Sequence, residues 1–459
     1  MRYPLTHRFS WGTKKWCFRP ECGSPQHLGV AGRYWRALRY HPRPKGGHAV
    51  DDIELFAKLL RIAPPWRVTR VSVDVAAERV EVWVEEIPGA KFPCAVCRAP
   101  APVYDHTPAQ AWRHLDTCEC QTYVHARLPR TACRVDGVKQ VRAPWAEARS
   151  EYTRPFETRI IDTGKECDVT GVRRLLRTGW AATWGVLERS VARGLARKPR
   201  RVPARLGVDE KAVRKGHHYE SLVVDLDGGT VEAVVDDRPQ ASLEAYYRQF
   251  APEELATIEA IAMAMWEPSI LATPACVPDA GTKIVFDRYH ATRYVTEAVD
   301  KVRRQEHKAL QAQDDLRLKG TKHLWLWNEE NIPEWRRAEF ETVKHAELKT
   351  SRAWAIKESL RGFWAYVYPK RAANYFKAWY FWATHSRLAP MIAAAKTLQR
   401  HLPNLLTYFK HRITNATAEG INSKIQTLKL MACGYRNREH YKTAILFHCG
   451  GLDLYPSAS

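Results

Sequence analysis

Residues 205–213, Arg-Leu-Gly-Val-Asp-Glu-Lys-Ala-Val, decide the fold. The apolar run Leu206–Val208 reads as a buried strand, and it ends in the carboxylates Asp209 and Glu210. The same texture continues downstream. SLVVDLDGG (221–229) and TVEAVVDDR (230–238) read as two more strands with an Asp-Gly-Gly turn between them. ASLEAYYRQFAPEELATIEA (241–260) is helical in pattern, IEAIAMAM (258–265) is an apolar strand, and TKIVFDRYH (282–290) is a strand with charge at its end. Three strands, a helix, a strand, a helix and a strand predict an α/β sheet of mixed direction with carboxylates at strand ends.

Such carboxylates suit two-metal phosphoryl transfer, in which several acids converge on two divalent cations about 3.5–4 Å apart. In an RNase H-like sheet the first acid lies on the first strand, the second at the end of the fourth, and the last on a later helix. Asp209 fits the first slot. Glu419, inside the helix start TNATAEGINSKIQ (414–426), fits the last, and the second falls within IEAIAMAMWEP (258–268). The cofactor expected there is Mg²⁺ or Mn²⁺. Taken singly, Asp209 also reads as a strand-end turn residue and Glu419 as an N-terminal helix charge favoured by the dipole. Asp287 and His290 read as caps or as supporting site residues.

The chain carries 72 Lys and Arg against 50 Asp and Glu, a formal net charge of +22. That excess attracts polyanions. The interleaved 17 Trp and 19 Tyr favour nucleic acid over a membrane surface. The start MRYPLTHRFSWGTKKW lacks a signal-peptide core, and no apolar run reaches a membrane span. A cytoplasmic protein is expected, with its eleven cysteines as thiols or metal ligands rather than disulfides.

Residues 1–50 read as an irregular extension with a lone Cys17-x4-Cys22 pair. Residues 51–150 begin with the amphipathic helix DDIELFAKLLRI, stopped by Pro64-Pro65, and continue in alternating strands. Cys94-Ala-Val-Cys97 sits in a turn after Pro93 and suits a Zn²⁺ knuckle. Cys133 with Asp136 makes the matching half-site, with His106, His125, Cys118 and Cys120 as other donors. Residues 151–200 read as a helix-turn-helix, VTGVRRLLRTG followed by WAATWGVLERSVARGLARK. Arg189, Arg193 and Arg197 recur every four residues and share a face. They and the linker cations Lys198, Arg200 and Arg201 are the expected DNA contacts. Residues 201–290 form the first part of the catalytic core and 291–405 an all-helical insertion. Residues 406–459 close the core with the final acid. The insertion's tryptophans read as core, with one or two left to stack on an unpaired base.

From Asp51 to Pro456 the chain resembles the ISL3 family of bacterial insertion-sequence transposases. The resemblance is carried by APPWRV, CAVC, WRHLD, GVDEKA, MWEP, KIVFDRYH, AWAIKESLR, WYFWATHSR, HRITNATAEGINSKIQ and GYRNREHYKTAI. Asp287-x-x-His290 also matches a signature of hAT and Mutator-like transposases. The resemblance implies a zinc ribbon, a helix-turn-helix and a DDE domain interrupted by a helical insertion. It further implies binding of terminal inverted repeats, Mg²⁺-dependent cleavage and transfer into target DNA, and a homodimer on paired ends. Two positions depart. Where relatives have Met-Asp-Met-Trp, this chain has Met263-Ala264-Met265-Trp266, so a metal-binding carboxylate is missing. Where many relatives have a His after the third ribbon Cys, it has Asp136. Three readings follow: a transposase that the Ala264 substitution inactivates, a transposase-derived DNA-binding protein or repressor without catalysis, and an RNA-processing nuclease. The domain order disfavours the third.

Overall fold

The computed structural model describes residues 51–214, 218–235, 239–413 and 415–457; the expected N-terminal extension and its Cys17/Cys22 pair lie outside them. Helix α1 (Asp52–Leu59) is capped by the Asp51 side chain. Strands β1 (Trp66–Asp74) and β2 (Arg79–Glu86) pair antiparallel, as their alternation predicts. With β3 (Lys91–Pro93), β4 (Pro100–His106), β5 (Gln110–Arg113), β6 (Gln121–Ala126), β7 (Pro129–Cys133) and β8 (Gly137–Gln140) they make two four-stranded sheets, β1-β2-β6-β5 and β3-β4-β7-β8. Trp66, Trp112 and Trp145 pack edge-to-face in their shared core.

Helices α2 (Arg154–Glu166), α3 (Val169–Leu176) and α4 (Trp180–Arg197) follow. Asp168 caps α3, and Arg177, in the left-handed region at φ 54°, ends it. Their apolar faces bury Ile160, Val172, Leu187 and Val191 against Phe447 and Leu454 from the far end of the chain.

This packing gives the arginine stripe of α4, expected to face DNA, partners within the chain. Glu157 of α2 is fully buried, and Arg189 donates to it and to Ser150. Arg193 lies 3.7 Å from its second oxygen. Arg197 donates to Asp453 (2.8 Å) and to the Tyr455 carbonyl (2.7 Å). A buried carboxylate holds two of its cations and the C-terminal tail takes the third, while the Arg189 and Arg197 side chains stay 32% and 31% exposed.

The second half is built on β9 (Arg205–Arg214), β10 (His218–Asp225), β11 (Thr230–Val235), β12 (Ala260–Met263) and β13 (Ile284–Phe286). They order as β11-β10-β9-β12-β13, with β10 antiparallel to both neighbours and β12 and β13 parallel to β9. The connections are α5 (Pro239–Tyr247), α6 (Pro252–Ala256), α7 (Glu267–Cys276) and α8 (Ala280–Lys283). Period-2 alternation sends Leu206, Val208, Ile261, Met263 and Phe286 to one face. That face is covered by α5, α6 and α7 together with the helical insertion: α9 (Arg288–Gln311), α10 (Lys322–Leu326), α11 (Glu334–Lys344), α12 (Lys349–Leu360), α13 (Pro369–Thr384), α14 (Ala389–Arg400), α15 (Leu402–Leu406) and α16 (Tyr408–His411). Leu222, Val224 and Val231 face the other way, onto α17 (Ala416–Met431) and α18 (Arg438–Cys449). Four of the seven insertion tryptophans, 325, 354, 364 and 379, are buried as core; Trp335 and Trp382 are exposed.

Two stability predictions follow from the buried polar groups. Removing one partner of a buried ion pair costs about 3 kcal/mol, so Glu157→Ala should lower the urea midpoint while Arg189 and Arg193 are left facing each other. Burial, reinforced by the Arg113 charge, pushes His114 down to about 4; burial with the Lys424 and Lys165 charges does the same to His448. Each protonates more readily unfolded than folded. Their contribution is full above pH 6.5 and is lost as pH falls towards 4. A His114→Asn/His448→Asn variant should therefore lose less stability than the parent between pH 7 and 4.5 in urea titrations.

Candidate active site and metal centre

β3 delivers Cys94 into a tight knuckle. The Cys94 N–H donates to the Ala99 carbonyl, and Arg98 adopts a left-handed φ of 64°. The Val96 N–H points at the Cys94 Sγ, and the Asp136 N–H points at the Cys133 Sγ. The β7–β8 turn, closed by Gly137 at φ 71°, brings the second half-site opposite. The ligand atoms of Cys94, Cys97, Cys133 and Asp136 all lie within 4.8 Å of one another, the only such group among the described residues. Cys97 and Cys133 sulfurs are 3.4 Å apart, and Asp136 Oδ2 is 3.3 Å from Cys94 Sγ and 3.5 Å from Cys133 Sγ. A tetrahedral zinc with Zn–S near 2.3 Å sets its sulfurs about 3.8 Å apart, so the donors fit. The Asp136 carboxylate pushes the Cys97 thiol up to about 12, and the Cys97 and Cys94 thiols hold Asp136 below the usual carboxylate range. A dication displaces the shared proton. The other donors weighed from the sequence are elsewhere: His106 bonds Glu86 (2.6 Å), His125 bonds Glu81, and Cys118 and Cys120 are outside the group.

The acids of the second sheet are aligned by strand register. Met263 pairs with Val208 on β9 and with Phe286 on β13. The Asp287 N–H donates to the Met263 carbonyl (3.1 Å) and continues the ladder. Asp209, Ala264 and Asp287 are each the next residue after this paired row, with Ala264 and Asp287 just past the ends of β12 and β13. Ala264 is in the middle. Asp287 caps α9 by accepting from Tyr289 (2.7 Å) and His290 (3.3 Å), and its other oxygen accepts from the Asn415 N–H (3.3 Å).

Glu419 reaches this row from the first turn of α17. Burial raises its pKa, and the negative charges of Asp287 and Asp209 raise it further, while His290 opposes them. The three carboxylates and His290 therefore share one electrostatic neighbourhood, and the concentrated negative charge suits a hard divalent cation. Two residues here escaped the sequence reading. Asn422 donates to Asp209; it lies three residues after Glu419, on the same helix face, and that spacing is the signal that could have found it. Asn415 is buried, with neither side-chain atom bonded within the described residues and its Oδ1 against Gly207. No spacing marks it.

The linker cations are partnered: Lys198 with Glu232 (2.9 Å), Arg200 with Glu254 (3.2 Å) and Arg201 with Asp225 (2.6 Å). Arg200 and Arg201 remain more than half exposed.

A thiolate centre and a separate row of strand-end carboxylates are the donor sets of a metal-using protein. Residues 206–445 match the family model of ISL3 DDE transposases, described as transposase, and residues 90–136 match the zinc-finger of transposase IS204/IS1001/IS1096/IS1165. The transposase for insertion sequence element IS1001 of Bordetella parapertussis is 26% identical over 353 residues, 76% of this chain and 86% of its own. The transposase for IS1557 of Mycobacterium tuberculosis is 25% identical over 375 residues, 75% of this chain and 82% of its own. The chain belongs to the ISL3 family of insertion-sequence transposases, with a zinc-ribbon domain and a DDE domain.

Elemental analysis of the purified protein should give one zinc per chain. Cys97→Ser should lose it, and Asp136→His, which swaps in a neutral donor, should keep it; a zinc-free parent would refute the assignment.

Proposed function

We propose that this chain is an insertion-sequence transposase that binds the terminal inverted repeats of its element but does not cut them, because the central carboxylate of an RNase H-like DDE site is Ala264. The observation that carries the reading is the register Val208–Met263–Phe286, which puts Asp209, Ala264 and Asp287 next in line at one end of three parallel strands, with the Asp209 and Asp287 charges felt at Glu419. Strand order β11-β10-β9-β12-β13, with the second strand antiparallel, supports the RNase H-like assignment.

Asp209, Asp287 and Glu419 would hold a divalent ion. Mg²⁺ or Mn²⁺, when bound, supplies the Lewis acidity that activates the attacking oxygen and neutralises the phosphoryl charge. Asn422 orients Asp209 through its amide, and His290 offsets part of the negative charge at Glu419. A methyl group at 264 donates nothing between the two flanking acids, so a pair of ions lacks its shared ligand. Asp287 does not replace it, because it flanks position 264 on the side away from Asp209 and is tied to the start of α9 by the Tyr289 and His290 N–H groups.

DNA is bound without the missing acid. In the helix-turn-helix reading, Arg173 and Arg174 are exposed on α3 and Trp180 is exposed at the start of α4. They take over the role first expected of Arg189, Arg193 and Arg197. Two paired ends call for a homodimer on DNA. No helix among the described residues is long and apolar enough to cross a membrane. The second reading, a transposase-derived repressor, rests on the same Ala264.

Ala264→Asp should restore Mg²⁺-dependent nicking of labelled element ends by at least about a hundredfold, and Asp209→Asn in that background should abolish it. Robust metal-dependent nicking by the parent chain would sink the proposal.

A further inference from the structure

Residues 359–418 contain no Asp or Glu and nine Lys or Arg, in a chain that carries 50 acids over 459 residues. Of those nine cations only Arg361 has a carboxylate partner among the described residues, bonding Glu330 and Glu358. The other eight are exposed. The α4 arginines and the linker cations, in contrast, are all paired.

The unpaired charge is concentrated with bare aromatic surface on α13. Lys370, Asn374, Lys377, Phe381 and His385 recur every three or four residues and are all exposed, so they form one outer face. Phe381 is 63% exposed and stacks on His385 at 3.9 Å, and Trp382 beside it is 41% exposed. Large rings left in water among cations are not core, and none of the described residues covers them.

The start of α13 is tied to the segment that leads to Asn415 and Asp287. Arg412 donates to the Val367 carbonyl (2.9 Å) just ahead of α13, three residues before Asn415, whose N–H holds Asp287. The antiparallel return along α14 ends with the His401 ring against Phe286, the residue before Asp287. The helix is about 24 Å long at 1.5 Å per residue, the span of about seven stacked nucleotides at 3.4 Å each.

We infer that the outer face of α13 is a rail for an unpaired DNA strand leaving the acid site, with phosphates on Lys370 and Lys377 and bases stacked on Phe381 and Trp382. The charge selects a polyanion, since no acid in the segment opposes it. The exposed rings select unpaired bases, because a duplex hides its base faces. The inference rests on the transposase reading for its biological setting, but binding a strand requires no cutting.

The test uses the full chain and a fluorescein-labelled twenty-nucleotide oligo-dT, read by anisotropy over a range of salt, beside a duplex of equal length. Phe381→Ala/Trp382→Ala should weaken oligo-dT binding at least about fivefold per ring, with a smaller loss on duplex and an unchanged melting curve. Lys370→Ala/Lys377→Ala should reduce the slope of log K against log salt by about 1.4, at about 0.7 per phosphate contact on a single strand. Unchanged oligo-dT affinity and slope in both variants would overturn the proposal. So would an equal loss on duplex, or an aromatic variant that turns a dimer into a monomer in sedimentation while still binding oligo-dT as before; the latter would make the face an interface between copies. Failure of Ala264→Asp to restore nicking would count against the catalytic reading alone.

Discussion

Parallel register between β9, β12 and β13 is the constraint on which the site depends. In parallel strands, residues abreast of one another project to the same side, so one pairing, Met263 with both Val208 and Phe286, fixes where three functional positions go. The register in turn is held by burial. Leu206, Val208, Ile261, Met263, Ile284 and Phe286 face the insertion core, and a slip of one residue would turn all of them over. Asp209 and Asp287 therefore stay at the sheet end whatever occupies 264. Ala264 is itself buried at that end of the sheet.

The last acid reaches the row by a different route. Glu419 is carried on a helix packed on the opposite face of the sheet, where Ile421, Ile425 and Leu428 meet Leu222 and Val224. The insertion between Asp287 and Glu419 therefore lies, with its own core, on one side of the sheet while the acid that follows it comes from the other. Asn415 joins the two, since its N–H holds Asp287 at the start of the helix that bears Glu419.

Strands and acids were legible in the sequence for physical reasons. Alternation of Leu206, Val208 and Asp209, and the apolar run before Ala264, follow from a sheet packed on both faces. The CxxC knuckle and the Cys133–Asp136 half-site are local, so spacing alone reveals them. The orientation of the α4 arginines was not legible. A stripe at every fourth residue says that Arg189, Arg193 and Arg197 share a face, not what that face meets, and its partners are Glu157, about thirty residues upstream, and Asp453, at the far end of the chain. Asn415 was hidden for the same reason: its neighbours, Gly207 and Asp287, are brought to it only by the finished sheet.

A cation count therefore does not locate a nucleic-acid surface; pairing does. The net charge of +22 is spread along the whole sequence, but an arginine bound to a buried carboxylate has given up its hydration and its freedom to that contact. To bind a phosphate it would leave an uncompensated charge behind. A cation with no carboxylate within reach has no such competitor and releases counterions when a phosphate arrives. On this criterion the arginines of α4 are engaged within the chain. The acid-free segment between Glu358 and Glu419 carries eight exposed cations with no carboxylate partner among the described residues, three of them on α13. The aromatic rings on that helix are then explained by the same geometry: a strand drawn along the cations presents its bases to whatever lies between them, and Phe381 and Trp382 lie there.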